Sequence, residues 1–196
     1  MADLDRAYFF DLAQDTLRQP RKAAAQIIAL QLPRDVLWTG LALVAVFNTV
    51  LVYFLAGISS GALPLPSYFD APLTLFMLLT GVLVVYIHAL YWTGLALGGQ
   101  GALMDVLALF VWFNILRAVA QSAVVVLTLA IPAMGLMLSL VVGVWGLWII
   151  LNFIAAALNL PSAFHGLAVM VIAAIGAILG LGIILSLIGL GGQGAT

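Results

Sequence analysis

Five stretches of this chain, near residues 36–57, 72–97, 104–131, 134–158 and 164–190, run on as apolar sequence with scarcely a charge. Crossing a bilayer core of roughly 30 Å takes about 20 residues in a helix rising ~1.5 Å per residue, and each stretch is long enough. In lipid the backbone has no water partner, so such segments satisfy their own polar groups as helices; the strand alternation of a barrel is absent. The fold class expected is an all-α membrane protein, a bundle of five transmembrane helices with a cytoplasmic N-terminal amphipathic helix. Composition points the same way. With 66% hydrophobic and 7% charged residues, a 196-residue chain has too little polarity to cover a globule in water.

The breaks between the stretches carry turn chemistry: "SSGALPLPSYFDAP", "GGQG", the Pro132 region, "NLPS" and the tail "GGQGAT". Pro132 is read as a tight hairpin, because a mere kink would merge two spans into a helix far longer than a bilayer requires. The chain then divides into an interfacial segment at 1–34, a transmembrane domain at 35–190 and a short tail at 191–196.

Five of the six cations, Arg6, Arg18, Arg21, Lys22 and Arg34, precede the first span, and the 58–71 loop has none. The positive-inside rule places the N-terminus in the cytoplasm, and five crossings send the C-terminus to the far side, the periplasm if the membrane is a bacterial inner membrane. The start, "MADLDRAYFFDLAQD", lacks the basic lead and apolar core of a signal peptide, so the first span is expected to serve as the insertion signal. Before it, "DLDRAYFFDLAQDTLRQ" reads as an amphipathic helix with Tyr8, Phe9, Leu12 and Leu17 on its apolar side. "PRKAAAQIIALQLPR" restarts at Pro20, a favourable first helical position, with Ile27, Ile28 and Leu30 suited to lying among lipid headgroups. Arg18, Arg21, Lys22 and Arg34 form an interfacial basic patch, a topology anchor or a docking surface for a protein or anionic lipid.

The sixth cation, Arg117, stands inside "LALFVWFNILRAVAQSAVVVL", about 20 Å along the third span. A charge there is costly, roughly 2.5–3.5 kcal/mol on insertion scales, and should face protein or water. Asn114, Arg117 and Gln121 share one helix face by their spacing. Asn48, His88 and Asn152 fall at comparable depths on other spans. An arginine has five donors and no acceptor, so amide oxygens are suitable partners. The expectation is a buried polar layer of Asn48, His88, Asn114, Arg117, Gln121 and Asn152, serving as interhelical glue or as a polar cavity. Small residues at Gly135, Ser139 and Gly143, and at Ala173, Gly176 and Gly180, allow close helix approach within the bundle or between copies.

Several chemistries have no foothold. A net charge of −1 offers no field for nucleic acid, and the absence of cysteine removes disulfides and thiolate sites. "GGQGALMD" lacks the lysine and hydroxyl of a phosphate loop and reads as a tight turn, with Asp105 complementing the helix N-terminus that follows. His88 and His165 sit at different depths, which argues against haem between them. No catalytic residue, metal site or cofactor is expected.

The order of these features resembles the Yip family of Ypt-interacting membrane proteins, in its bacterial branch, over about residues 15–190. The resemblance rests on the lead-in "LRQPRKAAAQII", five spans, the turn and helix "GGQGALMDVLALFVWF", and a histidine after the fourth span in "NLPSAFHGLAVMVIAA". It implies a helical membrane scaffold without known catalysis. Gly98, Gly99, Asp105 and His165 match the bacterial pattern as a cytoplasmic-face motif with no settled chemistry. Eukaryotic relatives are associated with Rab-type GTPases and vesicle traffic, but the Asp-Leu-Tyr/Ala-Gly-type stretch they carry before the membrane region is missing here, so GTPase binding is not implied. The leading reading is a non-enzymatic scaffold or adaptor organising partners at the cytoplasmic face. A transporter, channel or lipid-handling protein built on the Arg117 layer, and an accessory subunit of a larger membrane complex, are the alternatives. Membrane lipids, a protein partner and a second copy of the chain are the partners to consider.

Overall fold

The computed structural model describes residues 6–58 and 71–187. Its helices are α1 (Arg6–Arg18), α2 (Pro20–Ala29), α3 (Arg34–Ile58), α4 (Pro72–Ala96), α5 (Leu103–Ala130), α6 (Pro132–Ala157) and α7 (Ala163–Leu187). The last five are long and apolar enough to cross a membrane, and no strand occurs among the described residues. The protein is an all-α, multi-pass membrane bundle. The loop expected to carry the "SYFD" aromatics and the tail at 191–196 lie outside the described residues.

Proline begins three of these helices. Pro20, Pro72 and Pro132 each occupy the first turn, where a missing N–H leaves no bond unmade. Between α5 and α6 a single extended residue, Ile131, ends one helix and starts the next, so the two run back antiparallel. Gly135 lets them close tightly at this turn, since a methyl group there would overlap Thr128.

α3, α5 and α7 begin, and α4 and α6 finish, at one end of the bundle, here termed the near end. The core is concentrated there. Six consecutive residues of α5, Val106–Val111, are buried, as are Ile149, Ile150, Phe153, Ile154 and Leu158 at the close of α6. A helix buried on every side must be surrounded, and α1 and α2 complete the enclosure by packing on α5 and α6. Leu12 contributes from α1, and Ala23, Ala24 and Ile27 from α2. The apolar stripe of α2 thus points into the bundle, with Ile27 only 3% exposed, where headgroup contact was expected. Protein-facing packing wins because the alanines let α2 approach closely enough to share the core.

Toward the other end the helices present a lipid-suited surface. Val119, Val126 and Leu129 on α5, Met137, Leu140 and Val144 on α6, and Ile178 and Ile183 on α7 are exposed. Exposed aliphatic residues of this density are explained by hydrocarbon solvent.

Candidate functional site

One face of α5 carries Phe113, Leu116, Arg117, Ala120 and Gln121, spaced so that each lies over the last turn. Opposite them α6 presents Ser139, Val142, Gly143 and Gly146, residues too small to fill the gap. The result is a groove of about 660 Å³, overwhelmingly apolar in its walls, bounded at its near end by Leu17 of α1 and by Trp145. Arg117 stands midway along it. From there Nη2 donates to Asn48 Oδ1 on α3, at 2.7 Å. Arg117 is exposed and is one of the residues lining the groove.

The other residues expected in a polar layer make different bonds. His88 Nδ1 donates to the Val84 carbonyl at 2.8 Å, Asn114 Nδ2 to Phe110 at 2.8 Å, and Asn152 Nδ2 to Trp148 at 2.9 Å. Each acceptor lies four residues back on the same helix. A short polar side chain reaches that carbonyl without help from another helix, so it is satisfied before any interhelical partner is needed. Gln121 lines the groove with Arg117. The six residues therefore form one interhelical bond and three separate intrahelical ones. The His88 ring also stacks on Trp38 at 6.4 Å.

At the near end, the Gly98–Gly99 turn has a definite task. α4 and α6 both stop with a left-handed residue, Gly98 at φ +86° and Asn159 at φ +53°. In each case the next amide bonds back across the turn, Gly99 N to Gly94 O at 2.8 Å and Leu160 N to Ala155 O at 2.7 Å, which is the Schellman arrangement. The two stops are fastened together. Gln100 N donates to Leu158 O at 2.8 Å, and the Asn159 side-chain amide donates to Gln100 O. The backbones meet so closely that a methyl on Gly99 would lie 2.8 Å from Gly94 O, and one on Gly101 would overlap the Ala157 carbonyl. Asp105 accepts from Ala102 N at 3.3 Å and so caps the start of α5. His165 is exposed in the first turn of α7, its Nδ1 2.8 Å from Ser162 Oγ. Gly98 and Gly99 belong to the clasp, Asp105 caps the helix that follows it, and His165 lies on the adjoining turn.

The basic patch rides on the α1–α2 pair. Trp112 Nε1 donates to Thr16 Oγ1 at 3.1 Å, and Trp145 Nε1 donates to the Leu17 carbonyl at 3.1 Å. Phe9 stacks on Trp112 at 6.3 Å. Arg21 reaches the Pro161 carbonyl at 3.4 Å. Lys22 pairs with Asp15 at 3.0 Å, and Gln26 donates to the same carboxylate. Those bonds hold Asp15 below the usual carboxylate range, first through Lys22, with partial desolvation opposing it and Gln26 adding to it. Arg18, Arg21, Lys22 and Arg34 are all exposed.

Sequence reasoning missed the residues that attach α1. Nothing in the spacing of Thr16, Trp112 and Trp145 ties them together, because the contacts join positions about a hundred residues apart. Asn159 was detectable, since asparagine directly after an apolar helix is a recurrent left-handed cap.

Compared with known proteins, no curated protein and no solved structure matches the chain. The model of the Yip1 domain matches residues 15–187, which takes in the α1–α2 attachment, the clasp and all five long helices. The chain belongs to the Yip1 domain family.

Proposed function

We propose that the protein is a non-enzymatic membrane scaffold that holds a partner at its near face, and that this face is cytoplasmic. The observation that carries the reading is the fixed helix pair: α1 and α2 present Arg18, Arg21 and Lys22 outward while bonds from Thr16, Leu17 and Arg21 tie them to α5, α6 and the α6–α7 turn. A charged surface held in one geometry loses little conformational freedom when it binds, which favours recognition over loose electrostatic attraction. The distribution of basic residues supports the orientation, because every described cation except Arg117 is at this end.

The test is a pull-down of the full chain from detergent-solubilised membranes, with Arg18→Gln and Arg34→Gln combined, which removes two exposed cations and leaves the Arg21 and Lys22 contacts in place. Recovery of a co-purifying protein is expected to fall about tenfold or more, while insertion and elution profile stay unchanged. Undiminished recovery rejects the reading. A companion chain at fixed stoichiometry in the purified mass would favour the accessory-subunit alternative.

A further inference from the structure

Arg117 poses a charge problem that the described residues leave open. The described carboxylates, Asp11, Asp15, Asp35 and Asp105, all belong to the near end, where Asp15 is paired with Lys22. Asn48 supplies Arg117 with a neutral oxygen only. A guanidinium in a membrane-spanning helix is best satisfied by an anion with several oxygens, which it meets through two donors at once.

The depth of Arg117 is shallower than its position in the helix suggests. α1 crosses α5 at Trp112 and α6 at Trp145, carrying Asp15 and Arg18 with it. Charged groups and tryptophans share the headgroup level. Arg117 is five residues beyond Trp112, a rise of ~7.5 Å, within the reach of an arginine side chain toward that level. The groove in which it stands midway runs between α5 and α6 as an apolar channel of about 660 Å³, inside the usual range for small-ligand sites of about 300–1,000 Å³.

We propose that this groove seats one anionic phospholipid, its phosphate against Arg117 and an acyl chain along the walls formed by Leu116, Ala120, Val142 and Gly143. Charge complementarity selects the headgroup, and the apolar walls select a chain over a free phosphate. The site is independent of the scaffold reading, since it uses none of the exposed cations of α1 and α2.

The experiment reconstitutes the full chain in mixed vesicles of phosphatidylglycerol and phosphatidylcholine and measures the motionally restricted fraction of spin-labelled forms of each lipid. The expected preference for phosphatidylglycerol is about fivefold, the effect of one cation near a membrane surface. Arg117→Gln should remove it and Arg117→Lys should retain part of it. Gly143→Leu keeps the cation but fills the groove, because a Cβ there meets nothing within 4 Å and the side chain starts in open space. It should remove the preference too, on a fold that has room for it. Equal restriction of both lipids by the parent chain, or an unchanged preference in Arg117→Gln and Gly143→Leu, overturns the proposal. So does efficient disulfide formation between copies of Gly143→Cys, which in a cysteine-free chain would show that a second copy occupies the groove.

Discussion

Arg117 and Asn48 are joined by a 2.7 Å hydrogen bond from guanidinium to side-chain oxygen, the bond that links the polar residues of α3 and α5. The two sit 69 positions apart in the chain. Their pairing shows which member depends on the other. The asparagine can lose its partner and remain neutral, whereas the arginine cannot.

Asn48→Ala should therefore destabilise the bundle by about 1–3 kcal/mol, the cost of withdrawing an acceptor from a charged donor. Arg117→Met should be milder, because it removes the charge together with the need for its acceptor. Thermal unfolding of both variants in the same detergent decides the order. A larger loss for Arg117→Met than for Asn48→Ala would contradict the dependence argued here.

The clasp between the α4 and α6 ends gives a graded expectation. Gly98→Ala places a Cβ on a left-handed residue and should cost about 1–2 kcal/mol. Gly101→Ala should cost more, since its Cβ would overlap the Ala157 carbonyl and backbone must move. Chemical unfolding curves rank the two. Equal stability of Gly101→Ala and the parent chain would show that the turns do not interlock as described.

Attachment of α1 rests on two indole N–H groups. Trp112→Phe and Trp145→Phe each remove a donor worth about 0.5–1.5 kcal/mol while keeping most of the ring packing. Limited proteolysis near Gln19 should quicken by about fivefold in either variant, and by more in the pair, as α1 lifts more often from α5 and α6. Proteolysis at the parent rate in both would mean that packing alone holds the helix.

The Lys22–Asp15 pair predicts a pH dependence with a definite sign. Asp15 is held below its ordinary value in the folded protein, so its contribution is present above the usual carboxylate range and disappears as pH falls through the depressed folded value. Hydrogen-exchange protection of α1 and α2, corrected for the intrinsic exchange rate at each pH, should fall on acidification in the parent chain. In Asp15→Asn the part due to this pair should be gone, which flattens the profile. An identical acid response in both chains would exclude Asp15 as its source.

The membrane character of this protein was legible from hydropathy, because long apolar stretches have one stable solution in a bilayer and composition alone identifies them. The Gly98–Gly99 turn and the cap at Asp105 were legible for a similar reason: helix ends are local problems with local residue solutions. The depth match of Asn48 to Arg117 also came from counting along helices. Counting could not exclude His88, Asn114 and Asn152 from the same layer, since depth carries no information about which way a residue faces or whether its own helix already satisfies it.

Hydropathy and turn chemistry thus determined that the chain forms membrane helices and where several of them stop, both being properties of short contiguous segments. Tertiary structure alone decided that α1 and α2 pack into the near-end core, that Thr16 and Leu17 meet Trp112 and Trp145, and that Arg117 opens onto a groove between α5 and α6. Those outcomes depend on how close two backbones can come. That distance is set by small residues on separate helices acting together, and no single stretch of sequence records it.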